Sequence, residues 1–216
     1  MSKVLHMLNP SRVWMDIVAV FQTWHIGDGN YPPLEKEQLV NLSFELEEIG
    51  IAASEGRPTE EFVHTGGGLH RFRARVLRQY TGAVEDSDTS LIVLESCGFR
   101  FYVSLNGPAP DDLRGCSVVQ GTGYLALDSY DWVQFLEWYE DPPDLFYQLR
   151  VRRIWKPRDY ASSFCPESAE EIDTMVGRAF RSEPYYIVEF TNEGVPRDPT
   201  PRTFLAPSVR KDETFE

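Results

Sequence analysis

Four histidines, His6, His25, His64 and His70, are the first residues whose chemistry would need partners. His64 and His70 flank a glycine run, and with His25 and Asp28 they could form a metal site of nitrogen and oxygen ligands. Such a site needs three converging ligands and an open position for water. The spacing offers no HxH or HExxH pair, and histidines six apart across a glycine run equally fit surface loops. The stretch Thr65-Gly66-Gly67-Gly68 could cradle a phosphate through backbone N–H groups. A P-loop would continue with Lys-Ser or Lys-Thr, and here Leu69-His70 follows, opening a strand rather than a helix.

Nucleophiles and acid–base pairs are no more diagnostic. No GxSxG elbow occurs. Cys97 and Cys116 sit among apolar strand residues, where cysteines are usually inert. Asp111-Asp112 and Glu60-Glu61 are adjacent in sequence, which does not set two carboxylates about 5–10 Å apart across a cleft. No motif here identifies a reaction, and no cofactor is implied.

Two constellations suggest binding instead. Arg71, Arg73 and Arg75 share one face of one strand, Arg150 and Arg152 share a face of another, and Arg100 and Tyr102 lie on a third. If these strands are neighbours, the guanidiniums and the tyrosine make a cationic aromatic face of the kind that holds single-stranded nucleic acid or another anion. The competing reading pairs the same arginines with acidic flanks of the chain. The second constellation runs from Asp128 to Asp144. It sets Tyr130, Trp132, Trp138 and Tyr139 among Asp131, Glu137 and Glu140. Aromatic anchors with a charged rim are what interface hot spots use, so this segment fits a basic protein partner or a sugar stacked on tryptophan. The plainer alternative is a short amphipathic element that caps the β-domain.

The charge balance bears on both. Lys plus Arg is 21 and Asp plus Glu is 34, a net charge of −13. Residues 1–69 hold 4 basic and 10 acidic side chains, residues 70–158 hold 11 and 12, and residues 159–216 hold 6 and 12. The middle is nearly neutral and the flanks are acidic. Such a field repels nucleic acid and anionic membrane and attracts a basic partner. Of the 21 basic residues 17 are arginine, the better side chain for bidentate contacts and aromatic stacking.

Hydrophobic residues make up 42% of the 216, aromatics 13% and charged residues 25%. That excludes a mainly disordered chain, a collagen-like chain and a small disulfide scaffold. The length suits one large domain or two small ones. Three cysteines without a CxxC pair suit a reducing compartment. Residues 1–10 lack the apolar core and cleavage site of a signal peptide, and no apolar run approaches the roughly 18 residues that span a bilayer. A soluble cytoplasmic protein without a membrane partner is expected.

The elements that must position these residues are mostly strands, because the dominant period is two. Val13–Trp24 is apolar on both faces and reads as a covered strand. After a turn-rich loop, Val40, Leu42, Phe44 and Leu46 alternate with Asn41, Ser43, Glu45 and Glu47, giving a half-buried strand with a polar outer face and a long hairpin overall. Arg71–Tyr80, Leu91–Leu94, Phe99–Leu105, Cys116–Leu127 and the alternation around Tyr147–Val151 follow, with a tight turn at Ser96-Cys97-Gly98 and a bend or bulge at Gly121 and Gly123. Five strands so spaced, over roughly residues 69–156, resemble an OB-fold, a small Greek-key barrel. Glu167–Phe180 reads as an amphipathic helix, with Ile172, Met175, Val176, Ala179 and Phe180 on one face.

The expected fold is therefore mainly β, with β-rich α+β character. It is an OB-like barrel or a curled antiparallel sheet, preceded by a long hairpin and followed by one C-terminal helix. The expected parts are a hairpin region (1–53), a connector (54–68), an OB-like β-domain (69–158), a packed helix plus strand (159–190) and an extended tail (191–216). The leading functional expectation is an acidic binding protein of a bacterial type that recognises another, basic protein, as an immunity protein or antagonist does. An OB-like module for nucleic acid or another anionic ligand comes second, disfavoured by the net charge. A metal-assisted enzyme built on the histidine cluster comes third.

Overall fold

Alternating apolar and polar side chains, rich in aromatic and β-branched residues, commit most of the chain to strands. The computed structural model describes residues 16–55, 59–81, 89–128, 132, 142–158, 169–176 and 185–194. In chain order they form β1 (Asp16–Gln22), α1 (Trp24–Gly27), β2 (Leu39–Leu42), β3 (Phe44–Ala53), β4 (Glu61–Gly66), β5 (Leu69–Thr81), β6 (Ser90–Ser96), β7 (Phe99–Leu105), β8 (Val118–Leu127), β9 (Tyr147–Lys156), β10 (Glu170–Ile172) and β11 (Tyr185–Gly194). The protein is mainly β.

Five of these strands close into a barrel. β5 pairs with β6 and β6 with β7, both antiparallel. β7 pairs parallel with β3, β3 antiparallel with β8, and β8 antiparallel with β5, which completes the ring. This is an OB-like Greek-key ring. Its fifth place is held by β3, from the N-terminal side of the other four. The strand expected there, around Tyr147, is β9, and its edges are used elsewhere. One edge pairs with β11 and the other with β2 and β10. Period two identifies both segments as strands but does not say which edges they share.

The expected hairpin and helix also resolve differently. β1 does not pair with β2. It runs antiparallel to β11 along its whole length and touches β8 through one parallel bridge, Val20↔Ala126. The loop between β1 and β2 is anchored by its own buried residues, Tyr31 and Leu34, rather than acting as a simple turn. Within the expected helix, Glu170–Ile172 is strand β10, paired with Ile154–Lys156 of β9, and Thr174 bridges to Glu35. The open edge of β9 gave these residues backbone partners, which outweighed a local helical pattern. Residues 167, 168 and 177–180 lie outside the described residues.

One core fills the barrel and continues beneath β1, β9 and β11. It contains Phe44, Phe72, Ile92, Leu94, Phe99, Phe101, Val119 and Leu125 from the barrel, and Ile17, Phe21, Leu149, Val151, Tyr186, Val188 and Phe190 from β1, β9 and β11. A second cluster lies on the outer face of β6 and β7, where Leu91, Val93 and Tyr102 meet Trp132, Leu145 and Phe146. Burying each large side chain contributes about 1.5–3 kcal/mol. The β6–β7 turn puts Cys97 and Gly98 at φ of 52° and 77°, the left-handed pair of a two-residue type I′ hairpin.

Gly121 permits the barrel's tightest approach. A Cβ there would stand 2.0 Å from the carbonyl oxygen of Gly50 and 3.1 Å from the Phe72 ring. The bulge lies not on β8 but on the facing strand, between Glu47 and Gly50 of β3. Gly121→Ala is expected to destabilise the protein by at least about 2 kcal/mol through overpacking. Urea denaturation checks this, and a midpoint equal to wild type would show that the two backbones are not in forced contact.

Candidate functional site

The arginine stripe exists, but the structure divides it in two. On the barrel, Arg71 of β5 gives Nε and an Nη to Glu61 at 2.9 and 2.6 Å. Arg75 gives Nε to Glu60 at 2.9 Å and its Nη to Glu95. Arg100 of β7 gives Nε to the other oxygen of Glu95 at 2.7 Å and reaches the Asp144 carbonyl. Arg73 donates to the Glu55 carbonyl at 2.8 Å. The second group is on β9, where Arg150 pairs with Glu193 at 2.9 Å and Arg152 with Glu37 at 3.2 Å. Arg152 also donates to Thr191 at 3.0 Å. Each such pair adds little stability on an exposed surface, but together they occupy these guanidiniums with carboxylates and carbonyls of the same chain. The Glu95 hydrogen bond holds the Arg100 guanidinium above its ordinary pKa.

Tyr102 does not join the arginines. It is fully buried and its hydroxyl lies 2.8 Å from Glu45 Oε2, with Asp128 Oδ1 as a second partner. Asp128 also accepts from the Ser43 hydroxyl and from the backbone N–H of Trp132, each at 3.1 Å. Tyr31 donates to the Asp128 carbonyl at 3.0 Å. The alternation in β3 implied an outward polar face for Ser43 and Glu45. Both are buried, Ser43 against Asp128 and Glu45 against Tyr102. Outward and covered carboxylates look alike in a single sequence, so this polar cluster carries no sequence signal.

Of the aromatic–acidic segment, Trp132 is described. It is fully buried, with its ring stacked on Tyr102 at 5.7 Å and 28° between planes. Tyr130, Asp131, Glu137, Trp138, Tyr139 and Glu140 lie outside the described residues.

The four proposed metal ligands do not converge, which corrects that expectation. His25 is buried on α1 among Trp24, Tyr31 and Phe21, at ring distances of 3.9, 5.2 and 5.8 Å. Its Nδ1 is buried and has no hydrogen-bond partner among the described residues. Asp28 is exposed at the C-terminal cap of α1. His64 and His70 face each other across β4 and β5, with ring centres 5.2 Å apart. Among the described residues, no three His, Cys, Asp or Glu side chains gather in a way that could hold a metal ion. Apolar packing explains the separation, since His25 and His70 serve as core rings. Burial pushes both from the ordinary 6.5 to about 4, and lowers His64 as well.

The glycine run is the β4–β5 turn. Gly68 presses against Val20, where a Cβ would meet the Val20 side chain at 2.9 Å. Cys97 and Cys116 are free and half-buried, and burial raises the Cys116 thiol pKa. Cys165 lies outside the described residues. No family model matches this chain, and neither a curated protein nor a solved structure matches it.

Two predictions follow from these buried groups. Because the folded state disfavours charged His25 and His70, the unfolded chain takes up protons first as pH falls. Their contribution is complete above about pH 6.5 and is lost progressively toward pH 4, at about 2–3 kcal/mol for each histidine. Urea denaturation at pH 7 and pH 5 measures this, and equal stabilities would show that the histidines are not buried as neutral rings. Tyr102→Phe removes the hydroxyl shared by Glu45 and Asp128 and should cost about 1–3 kcal/mol. A loss under about 0.5 kcal/mol would show that this hydroxyl does not hold the two carboxyl groups.

Proposed function

We propose that this protein is an acidic binding protein that recognises a basic protein partner, in the manner of an immunity protein or antagonist. One observation supports this above the others. Arg71, Arg73, Arg75, Arg100, Arg150 and Arg152 are engaged by the chain's own glutamates and carbonyls, while the chain as a whole carries a net charge of −13. An acidic surface speeds and selects encounters with a basic protein. The proposed contact residues are Tyr130, Asp131, Glu137, Trp138, Tyr139 and Glu140. Trp132 is assigned to anchoring rather than contact, because it is buried against Tyr102.

The same pairing weighs against the nucleic-acid reading, since a phosphate would have to displace a carboxylate already bound to Arg71, Arg75, Arg100, Arg150 or Arg152, or the Glu55 carbonyl bound to Arg73. The separation of His25 and Asp28 from His64 and His70 weighs against a metal-assisted enzyme built on all four. No catalytic residue is assigned. Cytoplasmic residence accords with the free thiols of Cys97 and Cys116. Among the described residues no helix is long and apolar enough to cross a membrane.

The test is gentle purification from the cells that make the protein, followed by native mass spectrometry. A basic polypeptide should co-purify and dissociate as salt rises. Charge reversal at Asp131, Glu137 and Glu140 to lysine should abolish its capture while leaving the circular dichroism spectrum unchanged. Capture unaffected by the reversal and by salt would overturn the proposal. So would salt-sensitive binding of a single-stranded oligonucleotide that Arg73→Glu with Arg150→Glu removes.

A further inference from the structure

Although His25 and Asp28 are elsewhere, His64 and His70 are directly opposite each other in the β4–β5 ladder and therefore share a face. His70 is buried and lies against the Phe62 ring, whose centre is 4.7 Å from its own. His64 is exposed. The pair thus joins a fixed ring inside the end of the barrel to a ring that solvent can reach.

The hydrogen bonding of His70 sets its tautomer. Its Nδ1 is 2.8 Å from the Gly68 carbonyl oxygen. A carbonyl only accepts, so Nδ1 carries the proton and Nε2 carries the lone pair. A ring N–H tied to a backbone carbonyl is the usual outer support of a metal-bound histidine, because it fixes the orientation and basicity of the other nitrogen. The support here comes from the glycine turn. Gly66, Gly67 and Gly68 all have positive φ, and this turns the Gly68 carbonyl to a position that His70, two residues on, can reach.

The spacing of the rings agrees with shared coordination. A metal about 2.0–2.1 Å from an imidazole nitrogen lies about 3.2 Å from the ring centre, so two imidazoles at a tetrahedral angle have centres about 5.2 Å apart. The centres of His64 and His70 are 5.2 Å apart, with 41° between the planes. Neither side chain is drawn into an ion pair with a carboxylate among the described residues.

We propose that His64 and His70 form a two-histidine site for a divalent transition-metal ion of the imidazole-binding class, such as zinc, copper(II) or nickel. The chain supplies two ligands, and the remaining positions stay open to water or to a donor from a bound molecule. The site is independent of the acidic-surface reading and survives its failure.

Zinc titration of the full-length chain tests the site by calorimetry and by nitrogen-15 NMR of the histidine rings. One zinc ion should bind per chain, and the Nε2 signal of His70 and a ring-nitrogen signal of His64 should shift together. His64→Gln, an exposed change, should weaken zinc binding at least about 30-fold without altering metal-free thermal unfolding. If that variant unfolds early, the wild-type NMR shifts still decide. Zinc binding unchanged by His64→Gln would overturn the proposal, as would histidine signals that do not move. Either result would assign any bound zinc to other side chains.

Discussion

A single row of facing residues crosses the molecule and sets the register of nearly everything else. Tyr102 of β7 faces Glu45 of β3, and Glu45 faces Ala126 of β8. Ala126 faces Val20 of β1, Val20 faces Ile187 of β11, and Ile187 faces Trp155 of β9. The row passes through both weak joints of the sheet. One is the short parallel contact that closes the barrel between β3 and β7, and the other is the single bridge that joins β8 of the barrel to β1. A one-residue slip at either joint would turn the core faces of β1 and β3 outward. At the first joint the side chains reinforce the backbone, because Tyr102 donates to the Glu45 that faces it. The same hydroxyl reaches Asp128, which in turn accepts the N–H of Trp132. Barrel closure and the placement of Trp132 therefore share one hydrogen-bonded cluster.

The charged residues extend this logic to the surface. Arg75 bridges Glu60 and Glu95, and Glu95 bridges Arg75 and Arg100, whose far end reaches the Asp144 carbonyl. Glu60 also accepts the backbone N–H of Cys97 at 2.6 Å, fixing the β6–β7 turn. The chain of contacts runs from the approach to β4, across β5, β6 and β7, to the residues before β9. An ammonium would be a poor substitute, because guanidinium offers donors in a fixed planar fork that can serve two carboxylates at once. The excess of arginine over lysine thus has a structural use as cross-strand bracing.

The strands themselves were legible in the sequence, and their partners were not. Alternation located β5, β7 and β9, and the Ser96-Cys97-Gly98 turn formed as expected because a left-handed pair there suits a two-residue hairpin. Gly121 was recognisable as special, although what it accommodates is the backbone of Gly50, far off in sequence. Three features stayed hidden for one shared reason, which is that each depends on an edge or a cover supplied by distant chain. β3 took the barrel's fifth place, β10 took the free edge of β9, and Ser43 and Glu45 were buried with Asp128 and Tyr102 as their distant partners. Arg71, Arg73 and Arg75 alternate along β5, and Arg150 and Arg152 along β9. Their glutamate partners, Glu37, Glu61 and Glu193 among them, could be matched only once the strands were paired.

The strand order also bears on where a partner can bind. With β3 already in the fifth place, the outer face of β6 and β7 is covered by side chains from outside the barrel strands. Trp132 is buried there, and Leu145 and Phe146, which precede β9, join the same cluster. In an OB barrel, the second and third strands offer a face to extended single strands. Here the matching strands are β6 and β7, and their outer face is filled by the chain's own aromatic and aliphatic side chains. A ligand using that face would have to displace Trp132 from a site with no exposure to solvent, at a cost of several kcal/mol in buried area alone. Recognition by this barrel is therefore better sought away from that face, on the acidic exterior and at the barrel end where His64 reaches solvent.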